Sequence, residues 1–562
     1  MRQSSGRGCR HLSSLALLLL AAAAAAPHAA QACTTIIVGK NASADGSIII
    51  ARNVDIAPGV FQPQVLVHHP FRAGNGTFKS NSNKLAVALP APGVAYHAFP
   101  LIPASQSKWG TPSFEEAGVN VYGVSISATE TIMSHPKATA ADPLNTQTGI
   151  LEEAITSLIL PNPRARTARA AAALLGELIE QIGSGEGFGV LFSDFKEAWY
   201  LENAAGHHWL AQRVPADTYF VSANQGRYGA TNLSDTDNVM HSPRLAEFAI
   251  KAGLLKNASA AYTTDGLFKF FKAYQASGGF NPEVNHARVC ALTKKYAGMG
   301  FDSCMAAMPT DLPVFQQPAQ PLGLLDVMQG LRDHFEGTAH DAYTNQNPRE
   351  PWRPIFVLHT SMGHVTRTRP SLPAALAVVH YVAMGPPGLS PFVPVYRGLT
   401  PGNYPAALTI GSATPDPVSL YWKGRRLQAL VFQNFPLLAP DAKAAIAAWE
   451  QDVETVQRPA MEAAYMSALS RGRKGSAWKV LMDFTDRVVA QAGTLLDNLT
   501  AQAASKLGLP GVPSDADLLS MIKKADAKYI LYGPSTQAAA ASAGVASGAE
   551  VTAPDTLSWP FP

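Results

Sequence analysis

Charge is scarce in this chain. Asp, Glu, Lys and Arg make up 15 % of its 562 residues, against roughly 25 % in an ordinary globular protein. The formal net charge is only +3, too small to point to nucleic acid or an anionic membrane as a partner. Cysteine is scarcer still, with four in all. Long apolar runs are confined to Leu15–Ala26, which is shorter than the about 20 residues that span a bilayer. There is no internal repeat and no His-Glu-x-x-His zinc motif. Gly183-Ser184-Gly185-Glu186-Gly187 precedes a strand instead of opening a helix, which excludes a nucleotide loop. His207 and His208 are neighbours on a predicted strand and point to opposite faces, so they do not form a simple metal pair. Ser105-Gln106-Ser107-Lys108 fits a Ser-x-x-Lys pattern but lacks the companion motifs that give it meaning.

What is present begins at the N-terminus. Arg2, Arg7 and Arg10 precede the apolar run, Pro27 follows it, and Ala30-x-Ala32 supplies the small residues of a signal-peptidase site. Residues 1–32 therefore read as a cleaved export signal. The mature protein is expected in an exported compartment: secreted, periplasmic or an endolysosomal lumen, with no membrane association after cleavage. Cys9 leaves with the signal, so Cys33, Cys290 and Cys304 remain. In an oxidising compartment Cys290 and Cys304 make the natural pair, a loop closure that stabilises by about 3 kcal/mol in the chain-entropy picture. Cys33 is left over, and cleavage makes it the first residue. An N-terminal cysteine carries a thiol and a primary amine, a nucleophile and a base on one residue. The competing readings of Cys33 are a buried strand cysteine, half of a disulfide, or a lipidated terminus. Ala30, standing where a lipobox has a branched apolar residue, argues against the last.

The element pattern is mixed. Thr34–Val38 is an apolar, β-branched strand, Asp45-Gly46 a turn and Ser47–Arg52 a second strand. Paired as a hairpin they set Val38 opposite Ile48 and Cys33 opposite Asn53, with Arg52 and Asp55 close to Cys33. Val124–Ser127 alternates as a strand, and residues 149–160 and 165–182 are helical. Residues 188–192, 197–202, 208–214 and 218–223 read as one antiparallel run of four strands. Residues 245–255, 267–274 and 322–335 are helical, residues 355–369 give two strands and 377–383 another. Residues 386–405 read as a Pro- and Gly-rich loop. From Asp441 the pattern is helical, over 443–469 and 477–507. The tail after Ser535 is Ala-, Ser-, Gly- and Pro-rich and reads as disordered.

The ordered set of short blocks resembles a known family. Cys33-Thr34-Thr35-Ile36-Ile37-Val38-Gly39-Lys40, Asp45-Gly46-Ser47 and Ala51-Arg52-Asn53-Val54-Asp55 are similar to the start of the dipeptidase A and secernin family of N-terminal-nucleophile cysteine hydrolases. Gly118-Val119-Asn120, Gly123–Glu130, Thr167-Ala168-Arg169, Gly206-His207-His208-Trp209, Ala223-Asn224-Gln225 and Glu336-Gly337-Thr338 follow in the family's order. Where the family usually has an acidic residue after the Asn of its second block, this chain reads Asn120-Val121.

The resemblance implies an α+β fold, an αββα four-layer sandwich of the N-terminal-nucleophile hydrolase type. It would occupy residues 33–440, with a C-terminal helical extension over 441–532 packed on it and a tail over 533–562. It implies a cysteine-type dipeptidase acting on small peptides, with no metal or organic cofactor. Cys33 would attack and form a thioester. Arg52 would favour the thiolate, Asp55 would hold the amine, and Asn224 would donate to the oxyanion. Glu130 and Asn120 would contact substrate. Arg288 is a candidate second cation near the site, but a solvated surface charge is the preferred reading. The alternatives are an amide acylase on the same scaffold, of the bile-salt, penicillin V or acyl-homoserine-lactone type, and a catalytically inactive secreted or lipid-anchored binding protein.

Overall fold

The computed structural model describes residues 33–56, 61–102, 113–130, 132–275, 282–309, 311–399, 404–412 and 414–529. The predicted signal peptide and the tail from 533 lie outside the described residues. In chain order, the strands that matter here are β1 (Thr35–Val38), β2 (Ile48–Asp55), β3 (Val67–His69), β4 (Tyr96–Ile102), β5 (Ser113–Asn120), β6 (Ser125–Glu130), β7 (Phe188–Ser193), β8 (Ala198–Ala204), β9 (His208–Arg213), β10 (Tyr219–Ser222), β11 (Val239–His241), β12 (Thr360–Thr368), β13 (Val378–Met384) and β14 (Val393–Tyr396). They form a six-stranded sheet, β10-β1-β2-β12-β13-β14, and an eight-stranded sheet, β11-β9-β8-β7-β6-β5-β4-β3. The fold is α+β with antiparallel sheets.

The apolar run of β1 and the start of β2 is continuous because both faces are covered. Every residue of both strands is buried. Alternate side chains go to different places, as the two-residue period requires. Ile36, Val38, Ile49 and Ala51 join a cluster with the C-terminal helices. Ile37, Ile48 and Ile50 join one that contains Leu191, Ala198 and Tyr200 of the other sheet. The second sheet sends Ile126, Val190, Phe192 and Leu201 into a third cluster, together with helices α1 (Glu152–Ile159) and α2 (Ala168–Ile182). Thr167 caps α2 by accepting from the Ala170 amide at 3.1 Å. Gly176 of α2 lies so close to Trp209 that a Cβ there would sit 2.2 Å from the ring.

Three expectations are corrected. The strands at 188–193, 198–204 and 208–213 pair in succession, but the fourth, β10, leaves that sheet and pairs with β1. Pro215 follows β9 without an amide to continue its ladder, and β1 has a free edge that needs a partner. Residues 355–369 hold one strand, because the amides of Ile355 and Phe356 donate to the Asp333 carbonyl instead of to a ladder. The Pro- and Gly-rich stretch contains β14. Pro394 is tolerated there because β14 is the sheet's edge.

Helicity at the C-terminal end starts earlier than expected, with α3 (Leu420–Val431), and continues through α4 (Phe435–Asp452), α5 (Arg458–Ser470), α6 (Lys474–Lys506) and α7 (Asp515–Tyr529). A π-turn at Val453–Gln457 joins α4 to α5. Leu427, Phe435, Ile446, Val488, Leu496 and Leu518 pack into the same cluster as β1 and β2. Buried charge ties these helices down. Arg332 donates both terminal nitrogens to Glu450, at 2.7 and 2.6 Å, and Glu450 also accepts from the Phe392 amide. The Glu454 and Glu462 carboxylates take Arg367 and Arg369 of the six-stranded sheet's end.

The loop after β10 hangs from a buried acid. Glu202 of β8 accepts from the Arg227 amide at 2.7 Å, and burial pushes its carboxyl up to about 7.

Two predictions follow from these buried carboxylates. Glu450→Ala leaves Arg332 buried without its partner and costs about 3–5 kcal/mol, read as a lower denaturation midpoint. Glu202 keeps a proton in the folded state that the unfolded chain releases near its usual about 4.3. Its contribution is therefore full below that value and is lost as pH rises toward 7. Denaturation curves at pH 4.5 and 7.5 should show about 3 kcal/mol of this loss, and Glu202→Gln, which cannot ionise, should remove it.

Candidate active site

The β1–β2 register decides which side chains meet Cys33. Thr35 pairs with Arg52 and Val38 with Ile49, one residue away from the expected pairing of Val38 with Ile48. Residues directly opposite each other share a face, and a one-residue slip exchanges the faces. In the observed register Cys33 and Arg52 are on the same face. In the expected one they would have been on opposite faces.

Arg52 is fully buried, and its donors are distributed among distant parts of the chain. Nη1 reaches the Cys33 sulfur at 3.3 Å. Nε donates to Ser127 Oγ of β6 at 2.8 Å, and Nη2 donates to the Glu116 carbonyl of β5 at 3.0 Å and to that residue's carboxylate. A second carboxylate, Glu152 at the start of α1, stands 3.6 Å from Nη1. His364, opposite Arg52 on β12, bonds Ser127 from the other side at 2.9 Å, and burial keeps its imidazole neutral. Burial works against the charge on Arg52, but Glu116, Cys33 and Glu152 outweigh it and hold the guanidinium above its usual value.

The Cys33 thiol is buried and free of any disulfide. Burial pushes it up. Arg52 pulls it down, while Asp55 and Glu116 add to the rise. The net direction is upward, so at neutral pH the sulfur is a thiol. Arg52 acts in the expected sense, but burial outweighs it.

Asp55 closes β2. Its carboxylate accepts from Arg353 Nη2 at 2.7 Å and Thr360 Oγ1 at 2.5 Å. Arg288 is the residue that sequence reasoning misjudged. It is fully buried, not solvated, and lies against Cys33 itself. Nη1 donates to the Cys33 carbonyl and to Thr34 Oγ1, both at 2.9 Å. Nη2 donates to Asn224 Oδ1 at 2.7 Å and Asn285 Oδ1 at 2.8 Å, and Nε to the Val284 carbonyl. All five guanidinium donors are engaged. Because arginine only donates, the contact assigns the Asn224 oxygen toward Arg288, and the amide nitrogen is directed away from it.

Cys33 meets Arg52 directly and is joined to Asn224 through Arg288, while Asp55 bonds Arg353 and Thr360 and acts on the sulfur through its charge alone. The structure does not bring Asn120 to them. That side chain is buried in the β5–β6 turn, donating to the Leu160 and Ala165 carbonyls and accepting from the Tyr122 and Val124 amides. Four residues of strand separate it from Glu116, about 13 Å. Of Glu130 only the backbone is described, pairing with Phe188 at the end of β6. Cys290 and Cys304 are joined in a disulfide with their Cα atoms 5.5 Å apart. Nearby His286 Nε2 donates to the Cys304 carbonyl at 2.9 Å; it and the two cysteines are close enough for a metal site, but the disulfide holds both sulfurs. His207 and His208 have separate partners, Asp142 and Ser242.

Glu116, Ser127, Glu152, His364 and Arg353 were not anticipated. Glu115-Glu116 within a buried strand was the available signal, because acids almost never occupy such positions without partners. Glu152 and Glu153 stand in the first turn of a helix, where acidic residues are ordinary and give no signal of a site.

The chain matches peptidase family C69 over residues 32–447. It is 43 % identical over 390 residues to a probable dipeptidase of Salmonella dublin, covering 69 % of this chain and 86 % of that protein. It is 32 % identical over 422 residues to a dipeptidase of Bifidobacterium longum (71 % of this chain, 77 % of that one), and 31 % identical over 417 residues to a probable dipeptidase of Latilactobacillus sakei (72 % and 82 %). By this match across most of its length, from the residue before the Arg52-bound cysteine through the helix that carries Lys443, the chain belongs to peptidase family C69.

Proposed function

We propose that this protein is a cysteine-type dipeptidase whose nucleophile is Cys33, freed as the N-terminal residue by removal of residues 1–32 on export. The observation that carries the reading is the Cys33 sulfur 3.3 Å from a fully buried arginine. The dipeptidase names of the relatives support the substrate class. The three apolar clusters, with helices, sheet, sheet and helices in turn, support an αββα sandwich of the N-terminal-nucleophile type, with the helices from 441 onward as an extension packed on it.

In this reading the Cys33 sulfur attacks the peptide carbonyl carbon while its proton passes to the α-amine, whose reference pKa of about 7.7–8.0 leaves part of it neutral near pH 7. The raised thiol makes that base necessary. The Asn224 amide, oriented by Arg288, donates to the oxyanion, an interaction typically worth about 3–4 kcal/mol. The C–N bond then breaks, and the leaving amine takes the proton from the α-ammonium. A thioester remains on Cys33. Water, deprotonated by the same amine, attacks the thioester and releases the second product with the thiol restored. Asp55, held by Arg353 and Thr360, orients the amine.

Two measurements test this. Intact-mass analysis of active protein should place its N-terminus at Cys33, unacylated; full activity with that nitrogen still in a peptide bond overturns the proposal. Cys33→Ser should lose dipeptide hydrolysis by about a thousandfold or more with an unchanged melting temperature, and retained rates refute the assignment.

A further inference from the structure

A dipeptide presents its scissile carbonyl next to a free α-ammonium, and an enzyme that selects such substrates needs an anion near its nucleophile. The flank of Cys33 beyond Arg52 carries two buried carboxyl groups, Glu116 and Glu152. Glu116 offers one carboxylate oxygen to Arg52, and its other oxygen, Oε1, is buried with no hydrogen-bond partner. That residue is 2 % exposed. A buried, unpartnered carboxylate oxygen is expensive and calls for an incoming donor. Glu152 is also buried, and burial together with Glu116 pushes it well above the usual carboxylate range, so it stands protonated, and the approach of an α-ammonium favours its ionised form.

Distance supports the same conclusion. The Cys33 sulfur and Glu152 Oε1 lie 3.3 and 3.6 Å from the same nitrogen of Arg52, so they are within about 7 Å of each other. In a peptide the amino nitrogen is two bonds from the first carbonyl carbon, about 2.5 Å away. A sulfur poised for attack stands about 3–3.5 Å from that carbon, and a charge-assisted N–H···O bond adds about 2.8 Å. A bent chain of those three steps closes within the available span.

We propose that Glu116 and Glu152 together form the receptor for the substrate's α-ammonium, and so restrict hydrolysis to peptides with a free N-terminus. The proposal rests on Cys33 as nucleophile. The carboxylates fix the first residue of the peptide with its carbonyl at the sulfur. An acylated N-terminus has neither the charge nor the donors to pair with them, and its acyl group would meet the two acids.

The test compares alanyl-alanine with N-acetyl-alanyl-alanine on mature protein with a verified Cys33 terminus, for wild type, Glu116→Gln and Glu152→Gln. Wild type should prefer the free dipeptide. Each variant should lower that preference by about tenfold or more, chiefly through a higher KM for the free dipeptide. Iodoacetamide labelling of Cys33 should persist in both, showing the nucleophile in place. A fall in kcat shared equally by both peptides, with the preference unchanged, would mean the two acids only position Arg52, and would overturn the proposal. So would wild-type hydrolysis of the acetylated peptide at the same rate. Failure of the nucleophile reading is seen separately, as activity that survives Cys33→Ser.

Discussion

A guanidinium removed from water must be surrounded by acceptors or it destabilises the fold. Arg52 satisfies that requirement with groups from four places: Cys33 two residues ahead of β1, strand β5, strand β6 and the start of α1. Those groups belong to both sheets. Bringing them to one arginine therefore positions the sheets face to face and the helix α1 against them. Site and scaffold are not separable here, because the contacts that hold the buried charge are the contacts that surround the sulfur.

The same burial shapes the chemistry. Burial pushes the thiol up despite an arginine at 3.3 Å, and the charges of Asp55 and Glu116 add to the rise. The arrangement does not provide a standing thiolate. It provides a dry, oriented thiol that needs a nearby proton acceptor, which the proposed free amine supplies from the same residue. On the other flank Arg288 fixes the Cys33 carbonyl and the Asn224 oxygen with one fork. The two arginines thus differ in kind. One meets the sulfur among carboxylates, and the other meets only neutral oxygens and orders the backbone.

Much was legible without coordinates. The β-branched runs of β1 and β2, the helices α1 and α2 with their apolar faces, and the spacing of Cys290 and Cys304 depend on local pattern, and they stand in the structure within a few residues of expectation. Edge strand β14 was hidden because Pro and Gly dominate its surroundings, and only a neighbour such as β13 shows that a short segment is a strand. Arg288 looked solvated because most arginines are, and its five acceptors lie as much as 255 positions away.

By itself the sequence determined the nucleophile candidate, its strand, and the presence of Arg52 and Asp55 within reach, since all lie in one hairpin where chain connectivity limits separation. The tertiary structure decided which of them face the sulfur, because strand register is a choice between two faces that depends on what covers each one. It also decided that Glu116, Glu152, Ser127, His364 and Arg288 belong to the site. Their proximity arises from the packing of sheet on sheet and helix on sheet, and no local propensity encodes a contact between residues that only the folded core brings together.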